Sequence, residues 1–253
     1  MSVSNEQYIS EYLKRLDYQG DTTPSVELLT KLHRQHIYLV TFENLALLGD
    51  YTPNLTRDYL FDWIVTRKRG GVCYELNTSF YQLLSALGFS CDQISGAVKP
   101  GESMFAHVST LVHLPEGDYI VDVGFADSFL PPLKVGGTPA AICDGSEFHL
   151  TDQGDNVVLI TRHTPGQEPK RMYEVSLSPR QESDYFGQFF WASAKGNTVF
   201  SEYPICVSHT PERRVVLRGG KLTVERDGKI VESRPVVTIE ESELVLREYF
   251  NLP

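Results

Sequence analysis

The sequence is poor in the features that mark redox, metal-binding or nucleic-acid-binding chains. It has four cysteines, Cys73, Cys91, Cys143 and Cys206, and no two of them form a CxxC pair. That spacing excludes a zinc knuckle or redox dithiol, so four reduced thiols and no metal are expected. Cations are outnumbered: 23 Lys and Arg stand against 33 Asp and Glu, a formal net charge of −10. A surface of that sign repels a phosphate backbone, and no nucleic-acid partner is expected. The opening residues, Met1-Ser2-Val3-Ser4-Asn5-Glu6, lack a basic region and an apolar stretch, and no uncharged run is long enough to span a bilayer. No membrane partner is expected, and the cytoplasm is the expected location. No GxxxxGK loop is present to cradle a nucleotide phosphate.

What the chain does have is an ordinary globular composition, 41% hydrophobic and 22% charged, over 253 residues. That suits one large domain or two to three packed subdomains, with a core able to enclose a site. The first ninety residues read as helical: Tyr8, Leu13 and Leu16 fall in one segment, and Leu28, Leu29, Leu32 and Ile37 in the next. Thr56-Arg57-Asp58 reads as a cap before a third helix that should end near Gly70-Gly71. Leu76, Phe80, Leu83, Leu84 and Leu87 then form one apolar stripe at helical spacing, stopped by Gly88, with Cys73 at the helix start. From Ser90 the pattern alternates as strands do, which predicts a sheet or barrel, followed by a helix over Glu182 to Ala192, short strands, and a last helix over Glu241 to Phe250.

A thiol near neutral pH is mostly protonated, so a catalytic cysteine needs a helix N-terminus or an imidazolium to favour the thiolate. Cys73 has the first by position, and the N–H groups of the opening turn suit a tetrahedral oxyanion. That geometry fits acyl transfer. Cys91, Cys143 and Cys206 have no such setting and read as packing residues. The base must come from elsewhere. His107 and His113 share one face of a strand, and composition does not choose between them. In the next strand Asp122 stands among apolar neighbours, where an unpaired charge is costly, so it requires a partner. A hairpin between the strands puts His107 and Asp122 on a common face. A turn centred on Leu114-Pro115 sets them opposite one another, and one centred on Glu116-Gly117 parts them by about 13 Å. The register stays open.

Arg69-Gly70-Gly71-Val72-Cys73-Tyr74-Glu75-Leu76-Asn77 resembles the cysteine signature of the arylamine N-acetyltransferases. Val40-Thr41-Phe42-Glu43-Asn44-Leu45 resembles an upstream segment of that family, Ala106-His107-Val108 its histidine strand, and Ile120-Val121-Asp122-Val123-Gly124-Phe125 its aspartate strand. The resemblance implies an α+β fold with a helical domain over 1–90, a β-barrel over 91–200 and an α/β lid over 201–253. Its active site resembles those of cysteine peptidases and transglutaminases. It further implies a catalytic triad of Cys73, His107 and Asp122, with acetyl-CoA as acyl donor and an aromatic amine, hydrazine or arylhydroxylamine as acceptor.

By the same resemblance Phe42, Val98 and Phe125 line an apolar acceptor pocket, and Ser103 stands near the thiol end of coenzyme A. Arg67-Lys68-Arg69 is expected to be a solvated helix end. Thr41, where the family has proline, and Ala126, where it often has glycine, bear on loop shape and acceptor choice. An amide synthase or other acyltransferase, and a cysteine hydrolase, are the alternative readings on the same scaffold. Oligomeric state is not legible in the sequence.

Overall fold

The structure is a computed structural model and describes residues 3–127, 131–143, 145–226 and 228–252. It opens with α1 (Asn5–Arg15) and α2 (Val26–Leu39). Each is started by a serine whose hydroxyl accepts an otherwise unpaired N–H of the first turn, Ser4 from Gln7 at 3.2 Å and Ser25 from Leu28 at 3.1 Å. A two-residue strand, β1 (Phe42–Glu43), and a 3-10 turn over Leu45–Leu48 follow. Next comes α3 (Arg57–Leu60), which widens into a π turn over Phe61–Thr66. Thr56 precedes α3 without capping it, because its hydroxyl donates to Asn54 Oδ1 at 2.8 Å instead. The π turn ends this helix short of the glycines at which it was expected to stop.

The next helix, α4 (Cys73–Ala86), is packed on all sides at its N-terminal half and stops before Gly88, whose φ of +90° an L side chain rarely adopts. Its stripe of Leu76, Phe80, Leu83 and Leu84 is buried in the helical core with Tyr12, Leu29 and Leu32. Truncating any one of these leucines to alanine costs about 2–5 kcal/mol.

Beyond α4 the chain forms β2 (Ser90–Ala97), β3 (His107–Leu114), β4 (Gly117–Val121), β5 (Leu133–Lys134), β6 (Ala141–Cys143), β7 (Ser146–Gly154), β8 (Val157–His163) and β9 (Lys170–Arg180). They make one antiparallel sheet in the order β5-β4-β3-β2-β9-β8-β7-β6. Its ends meet where Lys134 N–H donates to Ala140 O at 3.0 Å and Ala140 N–H to Phe148 O at 2.8 Å, so the sheet is a nearly closed barrel. Alternation sorts the side chains of β3. Leu111 enters the barrel core with Ile94, Ile120, Ile160 and Tyr173, whereas Val108 and Val112 enter the helical core.

After the helix α5 (Glu182–Ser193), strands β10 (Ile205–His209), β11 (Arg214–Arg218), β12 (Lys221–Arg226) and β13 (Lys229–Pro235) build a second sheet, covered by α6 (Ile239–Phe250). Its order is β1-β10-β11-β12-β13, so residues 42–43 belong to a sheet whose other strands lie more than 150 residues later. Asn44 secures the crossing. Its Nδ2 donates to Phe200 O at 2.7 Å and Tyr203 O at 2.8 Å, and its Oδ1 accepts Ile205 N–H at 2.6 Å. Among the described residues no helix is long and apolar enough to cross a membrane.

Candidate active site

Cys73 is the first residue of α4, His107 the first of β3, and Asp122 follows the last residue of β4. The β3–β4 register pairs Leu114 with Gly117 and Thr110 with Val121, so the hairpin turns at Pro115-Glu116, between the two alternatives open in the sequence. Carried one step further, that register sets Asp122 opposite Ser109, about 7 Å along the strand from the position facing His107. The imidazole spans the gap, and His107 Nε2 lies 2.6 Å from Asp122 Oδ2. Cys73 is the second polar group that acts on this ring. Since Nε2 is taken by the carboxylate, Nδ1 is the nitrogen left for a second partner.

All three side chains are buried, and their charges follow from their partners. Burial alone would lower the pKa of His107. The charge and hydrogen bond of Asp122, then the contact with Cys73, outweigh it and raise the ring to about 10. Burial alone would raise Asp122. The charge of His107 and hydrogen bonds from His107, Asn77 and Tyr173 hold it below the usual carboxylate range. At neutral pH the pair is an imidazolium on a carboxylate.

Asp122 is held by more than the histidine. Tyr173 on β9 donates to Oδ2 at 2.8 Å, and Oδ1 accepts Asn77 Nδ2 at 2.8 Å and Gly124 N–H at 2.9 Å. The Tyr173 ring also meets the His107 ring edge-on, with centroids 4.8 Å apart. Asn77, one turn along α4 from Cys73, gives its second Nδ2 hydrogen to Val108 O at 2.6 Å and accepts Val123 N–H at 2.9 Å. One amide thus ties the helix that starts at Cys73 to both the His107 strand and the Asp122 segment. The approach is tight enough that a Cβ on Gly124 would stand 2.7 Å from Cys73 Cα. On the far side His33 Nε2 sits 3.1 Å from Asp122 O and 3.2 Å from Asp122 N.

The turn before Cys73 rests on a buried ion pair. Arg69 donates to Glu43 Oε1 from Nε at 3.0 Å and Nη2 at 2.8 Å, and Glu43 Oε2 accepts Leu45 N–H at 2.8 Å. Removing Arg69, itself only partly buried, would leave the buried Glu43 carboxylate without its counter-charge. A Cβ on Gly70 would fall 1.9 Å from Thr41 O, so this glycine serves close backbone approach. Arg67 pairs with Asp62 at 2.7 Å, so both arginines of the basic triplet have carboxylate partners.

Phe42 and Phe125 come together with Ile37, Val40, Val207 and His209 around an apolar cleft of about 10 Å³, room for one water at most. Phe125 reaches from it to the His107 ring, with centroids 5.6 Å apart. Val98 is not on this cleft. It packs half-buried against the barrel core, and its carbonyl accepts Arg171 Nη1 at 2.6 Å. Ser103 lies exposed in the turn into β3, its hydroxyl accepting Phe105 N–H at 3.2 Å. His113 is apart from the site, between Asp118 and Asp92. Among the described residues no group of three His, Cys, Asp or Glu is arranged to hold a metal ion.

Sequence reasoning missed Tyr173 and His33. Tyr173 carried only an inward parity on its strand, and His33 only a place among the leucines of α2. Asn77 was visible in the signature, but nothing near it in the sequence placed its amide on Asp122.

A family model described as N-acetyltransferase matches residues 25–253. The chain is 28% identical over 256 residues to an arylamine N-acetyltransferase of Escherichia coli, covering 96% of this chain and 88% of that one. The solved structure of the arylamine N-acetyltransferase from Salmonella typhimurium superimposes with a TM-score of 0.90 at 26% identity, covering 97% and 91% of the two chains. That of Mycobacterium marinum arylamine N-acetyltransferase in complex with CoA does so with a TM-score of 0.88 at 26% identity, covering 96% and 92%.

Proposed function

The chain belongs to the arylamine N-acetyltransferase family, and from that premise we propose that it moves an acetyl group from acetyl-CoA to an aromatic amine or hydrazine through a thioester on Cys73. The observation that carries this reading is one imidazole held at 2.6 Å by the Asp122 carboxylate, with Cys73 at the start of α4 as the other polar group acting on it. A cationic ring at this place can give a proton to a departing thiolate and later take one from an attacking amine.

In this mechanism the Cys73 sulfur attacks the acetyl carbonyl, and N–H groups of the first turn of α4 stabilise the oxyanion. The C–S bond to coenzyme A breaks as His107 Nδ1 gives its proton to the departing thiolate. The amine nitrogen then attacks the Cys73 thioester, His107 takes its proton, and Cys73 leaves as the thiolate. Asp122 holds the ring in the required orientation and tautomer throughout. Phe42 and Phe125 form the apolar wall for a flat acceptor, and the closed cleft must widen to admit it. Val98, which packs with Phe125 against the barrel core, is assigned to the acceptor side, and Ser103, in the turn into β3, to the donor side. The three units over 1–90, 91–200 and 201–253 then act as nucleophile carrier, base carrier and lid, with residues 42–43 bridging the first to the last.

Intact mass after a brief incubation with acetyl-CoA, acid-quenched, tests the reading. One added acetyl group is expected on the native chain, absent from Cys73→Ala and removed by an aromatic amine. An adduct that persists in Cys73→Ala sinks the assignment of the nucleophile. Rapid loss to water without amine favours a hydrolase.

A further inference from the structure

Two buried carboxylates flank the turn into Cys73, and they differ in their partners. Glu43 has the Arg69 guanidinium. Glu75, in the first turn of α4, instead accepts Val72 N–H on Oε2 at 3.0 Å and the Tyr51 hydroxyl on Oε1 at 2.5 Å. Arg69 reaches it only through space. The groups facing Glu75 are therefore Tyr51 and Val72 by hydrogen bond, and Glu43, Arg69 and Tyr59 by charge. Burial first, and the charge of Glu43, raise Glu75 to about 7 against the pull of Tyr51, Val72 and Arg69.

The two donors respond differently to a proton on Glu75. The Tyr51 hydroxyl can turn and accept from the protonated Oε1. Val72 N–H is a donor only. It keeps Oε2 as a neutral acceptor and loses the charge-assisted part of its bond, which is roughly half its strength. Val72 is the residue before Cys73, and its peptide directs the sulfur's backbone. Nothing bulky cushions the contact, since a Cβ on Gly71 would lie 2.7 Å from Glu75 Oε2.

We propose that Glu75 is a positioning residue for Cys73, fixing the Val72 peptide through its carboxylate and loosening it when it takes up a proton. This rests on Cys73 being the nucleophile, as above. The triad does not use Glu75, and Glu75 needs no contact with substrate to act.

The test follows two rates against pH: alkylation of Cys73 by iodoacetamide, read by peptide mass, and acetyl loading from acetyl-CoA. The native chain is expected to show both rates rising through a limb near pH 7 by about five- to tenfold. In Glu75→Gln, which keeps the shape and cannot ionise, that limb is expected to vanish. In Tyr51→Phe, which removes a donor to the anion, the limb is expected at higher pH. The proposal is overturned if Glu75→Gln keeps the limb unmoved, or if the native limb falls with rising pH, the sign of direct repulsion between Glu75 and the sulfur. Should Glu75→Gln not fold, an unmoved limb in Tyr51→Phe overturns it equally. Absence of acetyl loading with the alkylation pattern intact removes the acetyl-transfer reading and leaves this one standing.

Discussion

His107 and His33 are both buried and both touch Asp122, yet they sit at opposite ends of the histidine range. His107 meets the carboxylate and is raised to about 10. His33 meets the backbone of the same residue and, with burial the dominant cause, is lowered to about 4. Its neighbour His36, bonded to the Tyr12 hydroxyl at 3.0 Å, is likewise lowered well below the ordinary value, by burial first and then by Arg15. Water is equally absent from both rings, so burial alone does not decide their charge. A full anion at 2.6 Å repays the desolvation of an imidazolium, and a peptide dipole does not. The wall of α2 is therefore neutral packing, while β3 and β4 carry a charged pair.

Replacing the anion should break this contrast most strongly. In Asp122→Asn, His107 keeps a hydrogen-bonding neighbour of the same shape but loses the charge, and kcat/KM should fall by about 10³- to 10⁴-fold. NMR of the ring should show His107 neutral at pH 7. A ring that stays cationic in this variant would mean that something other than Asp122 sets its charge.

The neutral side of the contrast is tested through acid stability. His33 binds a proton less readily folded than unfolded. Between its folded pKa of about 4 and the ordinary value of 6.5 the unfolded chain therefore carries a proton that the native chain does not. Stability accordingly rises with pH through that window and is lost as pH falls from 6.5 towards 4, by on the order of 3 kcal/mol from this residue. Urea unfolding at a series of pH values should show a shallower acid loss in His33→Gln. His36, shifted in the same direction, should leave part of the slope in place.

The smallest effect belongs to a histidine with the partners of His107 and the exposure of neither. His113 stands 2.8 Å from Asp118 Oδ1 and 3.0 Å from Asp92 Oδ2, and hydrogen bonds to Asp118, then Asp92, raise its pKa. Water reaches all three side chains. His113→Gln should change unfolding free energy by no more than about 1 kcal/mol, and added salt should shrink the difference. A larger effect would show that two carboxylates can substitute for burial.

The helices, the strands and the place of Cys73 at a helix start were readable because each depends on residues close together in the chain. Leu76, Phe80, Leu83 and Leu84 announce α4 by spacing alone, and the cysteine signature puts Cys73 at its first residue. The parity of β3 and β4 likewise put His107 and Asp122 on one face. What parity left open was the distance between them, because a hairpin can turn at Leu114, Pro115 or Glu116 without changing which side chains share a face. The turn at Pro115-Glu116 is decided where the whole barrel closes.

The sequence by itself determined the local periodicities, the helix start at Cys73 and the presence of a histidine and an aspartate on neighbouring strands. Only the tertiary structure decided that Tyr173, 51 residues after Asp122, donates to the same oxygen as His107. It alone decided that Phe42 leaves the helical region for the last sheet, pairing with Val207, and that Glu75 is the buried carboxylate left without the arginine. Side-chain period and capping are set within a few residues of backbone. Which distant side chain supplies a donor or a cation is set by how layers pack, and nothing in the nearby sequence encodes it.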